Sequence, residues 1–293
     1  MKKSYIKYFT ALLLFGSNGI VASFISLPSS EIVLLRTLIG SVLLIALFFL
    51  MRNKLTFYRY KKDSLFLLLS GIAMGTSWMF LYEAYAQIGV SIASLCYYCG
   101  PMVVMILSPL LFKEKLTTVK IIGFMAVLAG IFLVNGNAYD GKGNLWGIFC
   151  GLMSALMYAA MVICNKKARR IQGMENATLQ LFISFLTVFF FVLFKQGFAI
   201  RLSTEDIIPM LILGLLNTGI GCYFYFSSIG DLPVQTVAIC GYLEPLSAVL
   251  FSVAFLHERL SLFQIIGAVC IIGGAIFSEV VKSKMIQIKR TNR

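Results

Sequence analysis

Long apolar runs alternate with short polar joints along the whole chain, and the runs are of one length class. A helix that crosses a bilayer needs about 20 mostly apolar residues. Ten runs meet that length, near Tyr5–Ser26, Glu31–Met51, Ser64–Gln87, Val90–Phe112, Thr118–Gly136, Gly143–Cys164, Asn176–Phe194, Asp206–Ser227, Val234–Leu256 and Ser261–Val281. The first run follows Lys2, Lys3 and Lys7, but its apolar stretch outlasts the usual signal-peptide core and carries no convincing small-x-small cleavage site, so it is read as a retained span. The pattern predicts an all-α integral membrane protein of ten transmembrane helices. The joints are too short for a separate soluble domain.

Composition agrees. Of 293 residues, 59% are apolar and only 13% charged, against about 45–50% and about 25% in soluble domains. Mean hydropathy is +0.90. A soluble enzyme, a disordered tail and a coiled coil are excluded. A secreted disulfide scaffold is excluded too, because the seven Cys lie inside apolar runs.

The net charge of +13 suggests nucleic acid until the cations are placed. With the amino terminus inside, twenty of the 25 Lys and Arg fall in inside segments. Lys142, Lys195, Arg201 and Arg259 fall outside, and Arg36 lies within a span. That bias predicts both termini in the cytoplasm and a multi-pass protein of the cytoplasmic membrane. It accounts for the charge without a nucleic-acid partner.

A repeat underlies the pattern. At an offset of 144, Pro101 meets Pro245, Glu114 meets Glu258, Gly123 meets Gly267 and Gly130 meets Gly274, and KEKLTTVKIIG returns as HERLSLFQIIG. Matched Leu and Ile are cheap among apolar helices; matched Pro, Glu and Gly at one offset are not. Two units are expected, 1–137 and 138–293. Each holds five spans, so the second enters the membrane upside down, an architecture shared by many secondary transporters.

At these residues the chain resembles the drug/metabolite transporter superfamily in its ten-span EamA-type branch. The marks are FGSNG (Phe15 to Gly19), Arg36 early in span two, and P…E-[KR]-L-[ST]…G…G after both Pro101 and Pro245. The triplet Leu243-Glu244-Pro245 is similar to amino-acid exporters of the threonine/homoserine type. Phe15 departs from the Trp of many members. The resemblance implies transport, often export, of small metabolites such as amino acids without ATP, and no GxxxxGK[ST] loop is present.

Several residues are candidates for the mechanism. Pro101 and Pro245 each remove an N–H, freeing the carbonyl four residues earlier, and are expected as paired hinges or as packing kinks. Glu244 lies near mid-membrane, where ionisable groups are functional by default. It is expected to bind a substrate amine, to couple transport to protons, or to serve as a neutral group bonded to the backbone that Pro245 opens. Arg36 and Glu83 lie at similar depth and are expected to form a structural ion pair, or else an outer gate or substrate carboxylate site. Polar and aromatic groups at mid-depth, Asn18, Trp78, Tyr82, Tyr98, Tyr158, Asn217 and Tyr242, are expected to line a pocket beside Glu244. Ser17, Tyr97 and Ser154 belong to the same band. Glu114 and Glu258 are read as structural, and Gly143, Gly147 and Gly151 as a close-packing face.

No catalytic set, metal site or cofactor is expected. Cys96-x-x-Cys99 stands without a second pair, and the single His257 lies at a loop. An intramembrane enzyme would need a nucleophile with a base in reach, and a sensor or assembly subunit usually a soluble output domain; neither is visible. The partners expected are a small-molecule substrate and the lipid bilayer, with protons as the candidate coupling ion and the chain as a monomer.

Overall fold

The computed structural model describes residues 2–135, 145–196, 203–256 and 262–291. The boundary expected at 137/138, and Gly143, His257, Glu258 and Arg259, lie outside the described residues.

The described regular elements are helical: α1 (Lys2–Gly16), α2 (Asn18–Ser23), α3 (Ser29–Leu50), α4 (Lys61–Tyr97), α5 (Cys99–Phe112), α6 (Thr118–Asn135), α7 (Leu145–Lys167), α8 (Gly173–Gln196), α9 (Ile207–Leu211), α10 (Gly221–Ile229), α11 (Val234–Gly241), α12 (Leu243–Leu256) and α13 (Leu262–Thr291). A π-helical stretch, Ile212–Ile220, joins α9 to α10. They make ten passes. Span one is α1 with α2, span eight is α9 through α10, and span nine is α11 with α12.

Spans three and four lie within and after the 37-residue α4, whose direction reverses. Ser70 and Ser77 bond Met161 and Ser154 of α7, so this part runs antiparallel to α7. Gly151 then meets Cys96 and Gly100 meets Tyr158, so the later part runs parallel to it. The chain therefore turns back between Ile88 and Ala93.

The surface is inverted relative to a soluble protein. Phe194, Leu145 and Leu50 are 79–85% exposed, while Arg36, Gln180 and Asn165 are buried. Large apolar side chains face lipid, and polar groups turn inward where they find partners. Asn165, Asn176 and Gln180 bond one another, and Ser77 and Ser154 donate reciprocally to each other's carbonyls at 2.8 Å.

Glycines bring backbones together where this interior is tightest. A Cβ on Gly130 would stand 2.5 Å from the Gly267 carbonyl oxygen, and one on Gly274 would stand 2.5 Å from that of Gly123. Equivalent residues of α6 and α13 thus exchange the same contact, and the two helices run antiparallel. The contact of Gly75 with Ser184 is likewise repeated by Gly219 with Gly40, each partner displaced by 144. The two halves are related by a pseudo-two-fold running across α6 and α13.

Polar caps tie the elements at the face that carries the amino terminus. The Glu114 carboxylate accepts the free N–H groups of Val234 and Gln235 at 2.8 and 3.1 Å, in the first turn of α11. Glu175 accepts the N–H groups of Thr56 and Phe57. These are the unsatisfied donors that every helix start presents.

Candidate functional site

Four irregularities in otherwise regular helices converge at mid-depth. Span one breaks at Ser17, whose hydroxyl donates to the Leu14 carbonyl at 2.8 Å. Spans four and nine break at Tyr98 and Tyr242, 144 residues apart and three residues before Pro101 and Pro245. The missing proline N–H relaxes the preceding turn at both places. Span eight widens into the π stretch, where the Thr218 side-chain hydroxyl also donates to the carbonyl of Leu213 at 2.7 Å. Such single-turn widenings re-aim side chains and recur at functional sites. Here the π stretch turns Asn217 and Thr218 toward spans one and two.

The breaks enclose a cavity of about 300 Å³. Asn18, Arg36, Trp78, Tyr82, Tyr97, Tyr98 and Glu244 line it, and Ser23 and Ser29 stand at its mouth on the face away from the amino terminus. A recess of about 50 Å³ continues inward past Phe15, Ser77 and Tyr158 to Cys222 and Tyr225.

Arg36 forms one wall. Nε donates to Thr218 Oγ1 and Nη1 to the Tyr82 hydroxyl, both at 2.9 Å, and Nη2 to Asn18 Oδ1 at 3.4 Å. The guanidinium lies 4.8 Å from the Trp78 ring centroid. All these partners are neutral. The ion pair expected with Glu83 does not form: Glu83 accepts from Gln87 at 3.1 Å and from the Trp146 indole at 3.3 Å. The reason is helical geometry. Tyr82 and Glu83 are about 100° apart around α4, so when Tyr82 turns to Arg36, Glu83 must point elsewhere. It lies in a separate groove with Phe80, Trp146 and Phe191.

Glu244 forms the facing wall and lines both cavity and recess. Among the described residues none donates a hydrogen bond to its carboxylate. The site holds a buried cation bonded to neutral groups and a carboxyl group with no donor among the described residues, both lining one cavity.

Six of the eight expected pocket residues line this space: Asn18, Trp78, Tyr82, Tyr98, Tyr158 and Glu244. Two do not. Asn217 is buried behind Asn18 and donates to its Oδ1 at 3.0 Å and to the Ser17 hydroxyl at 2.9 Å, holding the broken turn of span one. Tyr242 is fully buried and donates to the Tyr98 carbonyl at 2.9 Å. The structure adds Thr218, Phe15 and Tyr225. Thr218 was signalled only by the glycine-rich LGLLNTGIG around it, a run poor in helix propensity.

The face that carries the amino terminus is closed beneath the recess. Tyr8 donates to the Val237 carbonyl at 2.7 Å, and its ring lies 5.5 Å from that of Tyr225. The hydroxyls of Tyr158 and Tyr225 are 3.3 Å apart. Below them Lys166 donates to the carbonyls of Ile229 at 2.7 Å, Gly230 at 3.2 Å and Leu232, at and just after the end of α10. At the opposite face Asp206, at the start of span eight, accepts from the Ser26 N–H at 2.8 Å and from the Ser203 hydroxyl at 2.7 Å. These donors, the Ser26 N–H first, lower its pKa to about 2.

The comparisons agree with this construction. A model of the EamA-like transporter family matches twice, over residues 2–136 and 145–279. The chain belongs to the EamA-like transporter family. Both halves of the protein are EamA units of the drug/metabolite transporter superfamily. The chain is 26% identical to an uncharacterized transporter of Bacillus subtilis, YxxF, over 92% of its own length and 87% of that protein. It is 26% identical to a second from the same organism, YetK, over 96% and 88%. An uncharacterized transporter of Haemophilus influenzae is 23% identical over 86% of each chain. A crystal structure of a protein 17% identical shares the fold, with a TM-score of 0.83 over 97% of this chain and 99% of that one.

Proposed function

We propose that this EamA-family transporter is a secondary carrier that exports amino acids or related small metabolites by alternating access. The observation that carries this reading is the pairing of Arg36 and Glu244 across one cavity, the first without a carboxylate partner and the second without a donor among the described residues. A substrate with a carboxylate and an ammonium supplies both. Arg36 presents N–H groups fixed by Thr218, Tyr82 and Asn18, and Glu244 receives the ammonium or, between substrates, a proton. Trp78, Tyr97 and Tyr98 offer aromatic walls to the remainder, the usual division between a few polar anchors and an apolar lining.

The excess of Lys and Arg in the inside segments favours termini in the cytoplasm. The open mouth at Ser23 and Ser29 then faces outward, and the tyrosine and Lys166 closure faces the cytoplasm. The halves 1–137 and 138–293 act as inverted units that rock about the site, with Pro101 and Pro245 as hinges. The protein works as a monomer, with protons as the coupling ion.

The test is flux in proteoliposomes. Vesicles loaded with unlabelled amino acids are given a labelled amino-acid panel under a pH gradient, with wild type beside Glu244→Gln. Saturable exchange driven by the gradient and blunted in the variant is expected. Transport by Glu244→Gln equal to wild type at every pH would remove Glu244 from the cycle. No flux of any amino acid from folded protein would withdraw the amino-acid reading.

A further inference from the structure

The hydrogen bond from Tyr242 to Tyr98 joins two residues separated by the repeat offset of 144. A contact between equivalent residues of two repeats maps onto itself under the pseudo-two-fold, with donor and acceptor exchanged. The Tyr242 hydroxyl reaches the break before Pro101 and donates to the Tyr98 carbonyl at 2.9 Å. Its ring is fully buried and lies 6.1 Å from that of Phe124. Tyr98, its equivalent, points elsewhere. It is half-buried and lines the cavity beside Glu244.

The gap between the two broken turns is therefore one tyrosine side chain long. A phenol from Tyr242 fills it now, and a phenol from Tyr98 cannot occupy it at the same time. We propose that Tyr98 and Tyr242 are exchanging splints: Tyr242 braces the break in span four in the form seen here, and Tyr98 braces the break in span nine in the oppositely open form. This rests on the alternating-access reading. It follows because a carrier built of two equivalent halves reaches its second state when the halves exchange conformations. The exchange withdraws one phenol from the interior as it inserts the other, so each state keeps one brace and one free tyrosine in its open cavity. Tyr242 is a positioning residue, and Tyr98 adds this role to its place in the cavity wall.

The surroundings of the pair are not equivalent. Phe124 corresponds to Ala268. Tyr242 has an aromatic neighbour when inserted. The reverse arrangement lacks it, which sets the form described here as the resting one.

The experiment is amide hydrogen exchange by mass spectrometry on the full chain in nanodiscs, read at residues 229–236, which are sealed by Lys166 in the resting form. Tyr242→Phe removes the brace of the resting form and is expected to raise exchange there about five-fold, the effect of losing one typical hydrogen bond. Tyr98→Phe removes the brace of the other form and is expected to lower it by a similar factor. The double variant is expected to return close to wild type, since both states lose equally. Exchange that rises in both single variants and rises further in the double would mean packing damage and would overturn the pair, as would no response in either. Such a result with proteoliposome flux intact leaves the transport reading standing. The opposed responses without flux of any amino acid would retain the pair and withdraw the cargo.

Discussion

The pseudo-two-fold makes a quantitative demand on two glycines far from the cavity. Gly130→Ala places a methyl 2.5 Å from the Gly267 carbonyl oxygen, 2.8 Å from Ile271 Cγ1 and 3.0 Å from Cys270 Cβ. Gly274→Ala places one 2.5 Å from the Gly123 carbonyl oxygen, 2.9 Å from Val127 Cγ2 and 3.1 Å from Ala126 Cβ. In each case the nearest atom is backbone, so no side-chain rotation relieves the clash and α6 and α13 must part. Overpacking of this kind costs about 1–3 kcal/mol. The gain in helix propensity from Gly to Ala returns at most about 1 kcal/mol. Each variant should therefore lose up to about 2 kcal/mol net, and the two losses should agree. Gly273→Ala is the internal control: a Cβ there meets nothing within 4 Å, so only the favourable propensity remains. Thermal unfolding of the purified protein in one detergent measures all three. A destabilised Gly273→Ala, or a large loss in Gly130→Ala with none in Gly274→Ala, would refute the reciprocal contact.

Three further outcomes follow from the geometry. Arg36→Lys should fold yet lower kcat/KM for the transported substrate at least about ten-fold, because one ammonium cannot hold Thr218, Tyr82 and Asn18 in a planar fork while stacking on Trp78. Undiminished flux would show that the fork is not used. Lys166→Met should raise hydrogen exchange at residues 229–232, since three carbonyls lose their donor; unchanged protection would place the seal in the tyrosines alone. The folded-state pKa of Asp206 lies below its unfolded value of about 4. Its contribution to stability is therefore complete above pH 4 and lost as pH falls toward 2. Asp206→Asn should flatten that segment of a melting-temperature profile, and an unchanged slope would assign it to other carboxylates.

The ten passes and the two repeats were legible because each rests on a local signal: run length for a span, and Pro, Glu and Gly at one offset for the repeat. Side-chain direction was not legible in the same way. Arg36 and Glu83 have the right charges and the right depth, yet one residue of rotation on α4 sends Tyr82, and not Glu83, to the guanidinium. Asn217 and Tyr242 sit at the depth of the cavity but behind its wall, since depth along a helix says nothing of azimuth. The break at Ser17 and the π stretch carry no proline. Their only trace in the sequence is the small and polar run around each, FGSNG and LGLLNTGIG.

These unsignalled irregularities hold the cation in place. A guanidinium 2% exposed inside a membrane protein needs several acceptors, and regular helices bury their carbonyls in their own hydrogen bonds. The acceptors come instead from side chains that the irregular turns present. Thr218 is aimed at Nε by the π stretch, and Asn18 reaches Nη2 from the first turn after the break in span one. Asn217, on the same π stretch, then clasps Ser17 and Asn18, so the two irregular turns support each other. The departures from helicity in spans one and eight are thus one device built around Arg36, distinct from the proline-linked breaks in spans four and nine. Removing the clasp with Asn217→Ala should loosen both turns together, while the breaks at Tyr98 and Tyr242 keep their geometry.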